Sequence, residues 1–144
     1  MKVLQVLPTL DPEAGGPVTA IKGLSRALAE RGISISMFTT GDGRQITGYE
    51  MPAGIECKVF CSFGPKSFAY SPSFKKALRE RLRQFDLVHI HTLWSFPVWM
   101  AGYHCRLYGI PYLIRPCGML DPYCLAHHPL RKNVYGFFVE RKNL

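Results

Sequence analysis

Three short segments hold residues whose types and spacing suit chemistry. The first is residues 11–19, DPEAGGPVT. Gly15 and Gly16 let a backbone approach a ligand closely, and a helix starting there aims free N–H groups at a phosphate or another anion. A Gly-Gly-Pro turn into a helix explains the same residues without a ligand, and neither GxGxxG nor a Walker lysine is present. The second segment is residues 87–91, LVHIH. His89 and His91 stand two apart, so on a strand they share a face. His91 ends the run, a place for a polar contact to substrate or for acid–base work. His89 reads as a core histidine satisfied by backbone, and the nearby Trp94 and Trp99 read as packing residues. No Cys, Asp or Glu stands at ligand spacing from the pair, so no metal is expected. The third segment is residues 115–123, RPCGMLDPY. Pro116, Gly118 and Pro122 fix an irregular loop. Arg115 suits a phosphate or carboxylate, and Asp121 suits a hydroxyl or a turn cap. Cys117 has no histidine that the sequence places beside it, so it reads as a small loop residue rather than a nucleophile.

The elements that must position these residues follow from periodicity. Residues 2–7 (KVLQVL) read as a strand. From Pro17, apolar Val18, Ile21, Leu24 and Leu28 fall at helical spacing, with Gly32 just past the end. Residues 33–39 (ISISMFT) alternate like a strand, 41–54 are loop-like, and 55–61 make a weaker strand. Residues 73–85 form an amphipathic helix, with Phe74, Leu78, Leu82 and Phe85 on one stripe and Lys75, Lys76, Arg79 and Arg83 opposite. Then come a strand over 87–91, a helix over 96–108 stopped by Gly109, a strand over 110–115, an irregular loop over 116–129 and a helix over 130–144. This order predicts an α/β, Rossmann-like open parallel sheet with helices on both faces. Right-handed crossovers put the loops after the strand C-termini along one edge, where such sheets bind ligands.

The 144 residues make one domain, and 47% hydrophobic content is enough for a real core. Net charge is +8, and it is lopsided. Residues 1–72 carry seven basic and six acidic side chains, residues 73–144 eleven and four. An anionic partner meets the second half first. Phosphate groups, an acidic membrane surface and nucleic acid all fit that charge. No helix-turn-helix, zinc knuckle or RNP-like aromatic pattern is present, so nucleic acid is not expected. The basic face of the 73–85 helix is either a solvated face or a membrane-surface or anion face. No apolar run is long enough to span a membrane, and the start reads as a first strand rather than a signal peptide. Five cysteines without a CxxC point to reduced thiols and a cytoplasmic protein.

Taken in order, these stretches resemble the N-terminal, acceptor-side half of GT-B glycosyltransferases of the family 4 type. KVLQVLPTLDPEAGGPVTAIKGLSRALAERG is similar to that family's first strand, glycine loop and first helix. FDLVHIHTLW is similar to its Asp-x-x-His-x-His strand and loop, YGIPYLIRPCGMLDPYCL to its Pro-x-Gly-x-Leu loop, and HHPLRKNVYGFFVERKNL to the long helix that follows. The resemblance implies transfer of a sugar, of hexosyltransferase type, from a nucleotide-sugar donor to a glycan or lipid-linked acceptor, as in polysaccharide biosynthesis. It implies that Gly15 and Gly16 approach the donor phosphates, that His91 contacts the donor sugar, and that Arg115, Pro116 and Gly118 line the cleft, with Asp121 beside them. It implies no metal cofactor, and association with the inner face of a membrane. A GT-B enzyme also has a C-terminal domain that holds the nucleotide. None of it is in residues 1–144, which read as a single Rossmann-like domain cut short at its C-terminal side. The chain alone is expected to be inactive until that domain or a partner chain completes it. The alternative is a non-catalytic acceptor- or membrane-binding half of a split glycosyltransferase.

Overall fold

A computed structural model describes residues 1–42 and 53–122. Five parallel strands form one sheet: β1 (Lys2–Leu7), β2 (Ser34–Gly41), β3 (Glu56–Cys61), β4 (Leu87–His91) and β5 (Tyr112–Arg115), in the order β3-β2-β1-β4-β5. Among the described residues, three helices connect them: α1 (Gly16–Ala29), α2 (Pro72–Arg81) and α3 (Phe96–Tyr108). The α/β sheet expected from the pattern is therefore the sheet observed. The strand order reverses between β1 and β4, which opens a crevice at their C-terminal ends.

Side chains alternate across the central strands, and each face meets its own helices. Leu7 and Met37 pack with Leu10 and with Val18 and Ile21 of α1. On the other face, Leu4, Val6, Phe38, Val88 and Ile90 pack with Phe74, Leu78 and Leu82 and with Val98 and Ala101 of α3. β1 is apolar on both faces because both are covered, as a central parallel strand requires. One residue breaks its run: Gln5, fully buried.

Several boundaries differ from the sequence reading. α1 begins at Gly16, and its inward stripe is Val18, Ile21 and Ser25, with Leu24 and Leu28 half-buried. Steps of three and four from Val18 lead to Ser25, so Leu24 falls on the flank. The expected 73–85 helix divides into α2 and a 3-10 turn, Leu82–Gln84, which keeps Leu82 and Phe85 buried. The Ser71 hydroxyl starts α2 by accepting from the Phe74 N–H (3.2 Å), and it donates to the Cys61 carbonyl (2.7 Å), tying the helix to the end of β3. β5 begins at Tyr112 rather than Ile110. Gly109 (φ 67°) and Ile110 are used to cap α3, the latter donating to the Cys105 carbonyl at 2.9 Å. The helix expected over 130–144, the end of the 116–129 loop and Cys124 lie outside the described residues.

Candidate active site at the C-terminal sheet edge

Each sequence-selected segment reaches this edge: the first follows β1, the second is β4 itself and the third starts at the last residue of β5. After β1 the chain makes a 3-10 turn, Pro12–Ala14, which Asp11 caps by accepting from the Glu13 N–H at 3.0 Å. Gly15 then takes φ 72° and ψ −135°, a conformation that only glycine adopts freely, and becomes the N-cap of α1. Gly16 and Gly15 are exposed, and open space surrounds the position a Cβ would occupy at either. The turn is open around both glycines, while Pro17 has no N–H and the Val18 and Thr19 N–H groups bond the Gly15 carbonyl at 3.1 and 3.4 Å, so what the helix end offers an anion is chiefly the positive end of its dipole.

The residues that follow the second segment are stitched to the third. Thr92 N–H donates to the Arg115 carbonyl at 2.9 Å, and Leu93 N–H reaches the Met119 sulfur at 3.2 Å. Two 3.1 Å bonds fold the third loop, from Met119 N–H to the Pro116 carbonyl and from Asp121 N–H to the Gly118 carbonyl. Cys117 (φ 53°) and Gly118 (φ 80°) make the turn. Just after β4, Thr92 (φ 70°) and Trp94 (φ 65°) lie in the left-handed region, which costs about 1–3 kcal/mol for a non-glycine residue and clusters at functional sites. Sequence reading treated Trp94 only as packing and had no signal for this strain.

His91 is fully buried, on the α1 face of the sheet. Its Nε2 lies 2.7 Å from the Gln5 Oε1, and its Nδ1 has no hydrogen-bond partner. His89 is half-buried rather than a backbone-satisfied core residue, and its ring lies 4.0 Å from that of His91 at 34°. Arg115 stands in register with His91 on the neighbouring strand. Burial first, then His89 and Arg115, pushes the His91 pKa down to about 3. The ring is therefore neutral at physiological pH, a hydrogen-bonding group rather than a proton carrier. Burial lowers His89 and His104 as well.

A pH prediction follows from the sign of these shifts. Unfolded histidine takes up a proton near 6.5, whereas native His91 stays neutral far below that value. Its share of stability is fully present above 6.5 and is lost as pH falls toward 3. Glu56 adds nothing in the upper part of this window, because Arg81 holds its carboxyl below 4.5. Thermal melts should therefore shift downward between about pH 7 and about pH 5. An unchanged melting temperature would contradict the buried, neutral His91.

Beside this cluster, at the ends of β1 and β2, lies a cavity of about 290 Å³ bordered by Asp11, Glu13, Thr40, Asp42, Ser62 and Lys66. Its carboxylates and hydroxyls suit a hydroxyl-rich ligand. Periodicity gave no sign of Asp42, which follows β2, or of Ser62 and Lys66, which follow β3. The sequence reading also missed Gln5, although a lone amide inside an apolar strand was a usable signal.

The basic face does not join the site. Lys75, Lys76 and Arg79 are exposed on α2, which packs on the sheet face opposite His91. Lys76 lies 3.9 Å from Glu80, and the Arg83 guanidinium sits 4.2 Å above the Tyr108 ring. Among the described residues, no three His, Cys, Asp or Glu side chains group as metal ligands, and no helix is long and apolar enough to cross a membrane. The described cysteines, Cys57, Cys61, Cys105 and Cys117, are all free, and burial pushes the Cys105 thiol up to about 12.

Known proteins are similar to this chain in sequence and in fold. Over 104 residues the chain is 32% identical to the alpha-monoglucosyldiacylglycerol synthase of Streptococcus pneumoniae (strain ATCC BAA-255 / R6), covering 71% of this chain and 23% of that protein. The fold is similar to the crystal structure of Acinetobacter baumannii MurG, with a TM-score of 0.51 and 18% identity, over 78% of this chain and 34% of that one. The chain thus spans about a quarter to a third of the length of these two proteins. Residues 14–142 match the family model of Glycosyltransferase Family 4. With its Rossmann-like parallel sheet and a family match over nearly its entire length, the chain belongs to glycosyltransferase family 4 and has the N-terminal domain fold of a GT-B glycosyltransferase.

Proposed function

We propose that this chain is the acceptor-side half of an enzyme that transfers a sugar from a nucleotide-sugar donor to a glycan or lipid-linked acceptor. A second Rossmann-like domain, on the same polypeptide or a separate one, supplies the nucleotide site. The observation that carries the reading is the joining of the His91 and Arg115–Gly118 segments at the strand-order reversal, beside the open glycine turn. Departure of a nucleoside diphosphate leaves negative charge on its phosphates. The bare N-terminus of α1 at Gly15 and Gly16, together with the exposed Arg115, stabilises that charge. Neutral His91 hydrogen-bonds the donor sugar. Because the ring is buried, the strained 92–95 segment has to shift for the sugar to reach it. Pro116, Gly118 and Asp121 border the cleft, and no step in this reading calls on a metal.

The name of the pneumococcal relative supports a lipid acceptor. Exposed Lys75, Lys76 and Arg79 give α2 a face that attracts anionic lipid, and this favours peripheral association with the cytoplasmic face of a membrane. The same face supports a second reading, a non-catalytic membrane- or acceptor-binding half of a split glycosyltransferase. One experiment separates the two. The protein, isolated from its source with any polypeptide that accompanies it, is given a panel of labelled nucleotide-sugars and lipid vesicles with and without anionic lipid. Labelled lipid or glycan, formed faster on anionic vesicles, supports the enzyme. Vesicle binding without labelled product under any donor leaves the binding half.

A further inference from the structure

The pairing of Gln5 with His91 has a chemical consequence. An amide oxygen carries no proton, so across the 2.7 Å contact the ring Nε2 must be the donor and the Gln5 Oε1 the acceptor. A neutral imidazole has one N–H, so Nδ1 is left with a lone pair. That atom is buried and has no partner, and neither has the Gln5 amide nitrogen. We propose that Gln5 is the positioning residue for His91, holding the ring as the Nε2–H tautomer so that Nδ1 faces the reaction as a hydrogen-bond acceptor for a substrate hydroxyl.

The surroundings fit this assignment. Gln5 and His89 are register partners on β1 and β4, so the side chains of Gln5, His89 and His91 leave one face of adjacent strands. The cationic Arg115 on β5 and the His89 ring both disfavour a second proton on His91. An amide, unlike a carboxylate, orients the ring without attracting that proton. The energetic incentive to keep a polar Gln in the most buried strand is otherwise absent, since a leucine there would continue the apolar run. The inference depends on the sugar-transfer reading only for its effect on rate; the tautomer is a property of the folded chain.

The test combines long-range proton–nitrogen NMR of the 15N-labelled protein with transfer assays on the full protein. Wild-type His91 is expected to show the Nε2–H pattern. Gln5→Met keeps the volume and removes the acceptor. It should abolish the tautomer preference and lower transfer about tenfold or more, the usual scale for losing an orienting partner. Gln5→Glu retains an acceptor but favours a second proton on Nδ1; once raised pH removes that proton, the variant should show the Nε2–H pattern and recover most of the transfer lost in Gln5→Met. An Nδ1–H pattern in wild type overturns the proposal. So does an unchanged tautomer in Gln5→Met, or an equal loss of transfer in both variants. If Gln5→Met does not fold, the wild-type tautomer and Gln5→Glu decide. If wild type transfers no sugar, the proposed function fails, and the tautomer still judges Gln5 by itself.

Discussion

Phe38→Ala is expected to destabilise the chain by about 3–5 kcal/mol, the usual range for removing a fully buried phenyl ring from a core. Phe38 is completely buried on β2 and is the hub of an edge-to-face aromatic group. Its ring centroid lies 5.2 Å from that of Phe60, 6.1 Å from Phe85 and 6.4 Å from Phe74. The Arg81 guanidinium sits 5.6 Å over the same ring and is held there by Glu56 at 3.3 Å. Alanine would therefore leave a cavity under α2 and at the same time remove the surface on which Arg81 rests. Collapse into the cavity is resisted because β2 pairs on both sides, with β1 and β3. Urea unfolding of wild type and variant checks this. A loss below about 1 kcal/mol would mean that the site relaxes freely and that this face of the sheet is not tightly packed.

His91→Ala is expected to lower sugar transfer by the completed enzyme about hundredfold, the scale seen when one preorganised hydrogen-bonding group is removed from a water-excluded site. The loss should fall mainly on kcat if, as proposed, the contact serves the reacting sugar and not the nucleotide. A smaller effect on stability accompanies it. The Gln5 amide oxygen, now buried without a donor, costs about 1–3 kcal/mol. Assays well below the melting temperature of the variant separate the two effects. Turnover equal to wild type would remove His91 from the reaction and leave it a structural residue of the β1–β4 pair.

Much of the fold was legible because period and punctuation agreed. KVLQVL and LVHIH are short, mostly apolar runs, the first followed by Pro8 and the second flanked by Asp86 and Thr92, and Gly109 ends α3 where its left-handed conformation is needed. Boundaries slipped where capping or helix type decides them. Neither the 3-10 turn after α2 nor the pre-strand cap at Ile110 has a periodic signature. At the site, the three loops could be placed on one edge from strand order alone. Two features could not. Gln5 pairs with His91 across 86 residues of sequence, a contact set by the β1–β4 register. The left-handed backbone at Thr92 and Trp94 accompanies a bond from the Thr92 N–H to the Arg115 carbonyl, a long-range contact that local sequence does not encode. The basic helix was read correctly as amphipathic, but its position on the sheet face opposite His91 depends on the handedness and order of the crossovers.

Hydrogen–deuterium exchange of the protein isolated from its source, with and without its nucleotide-sugar, tests most directly whether the three segments form one donor-facing site. Slowed exchange is predicted together in residues 15–19, 91–95 and 115–119, with α2 unchanged. Slowed exchange confined to α2, or absent from all three segments while sugar transfer proceeds, would contradict the account.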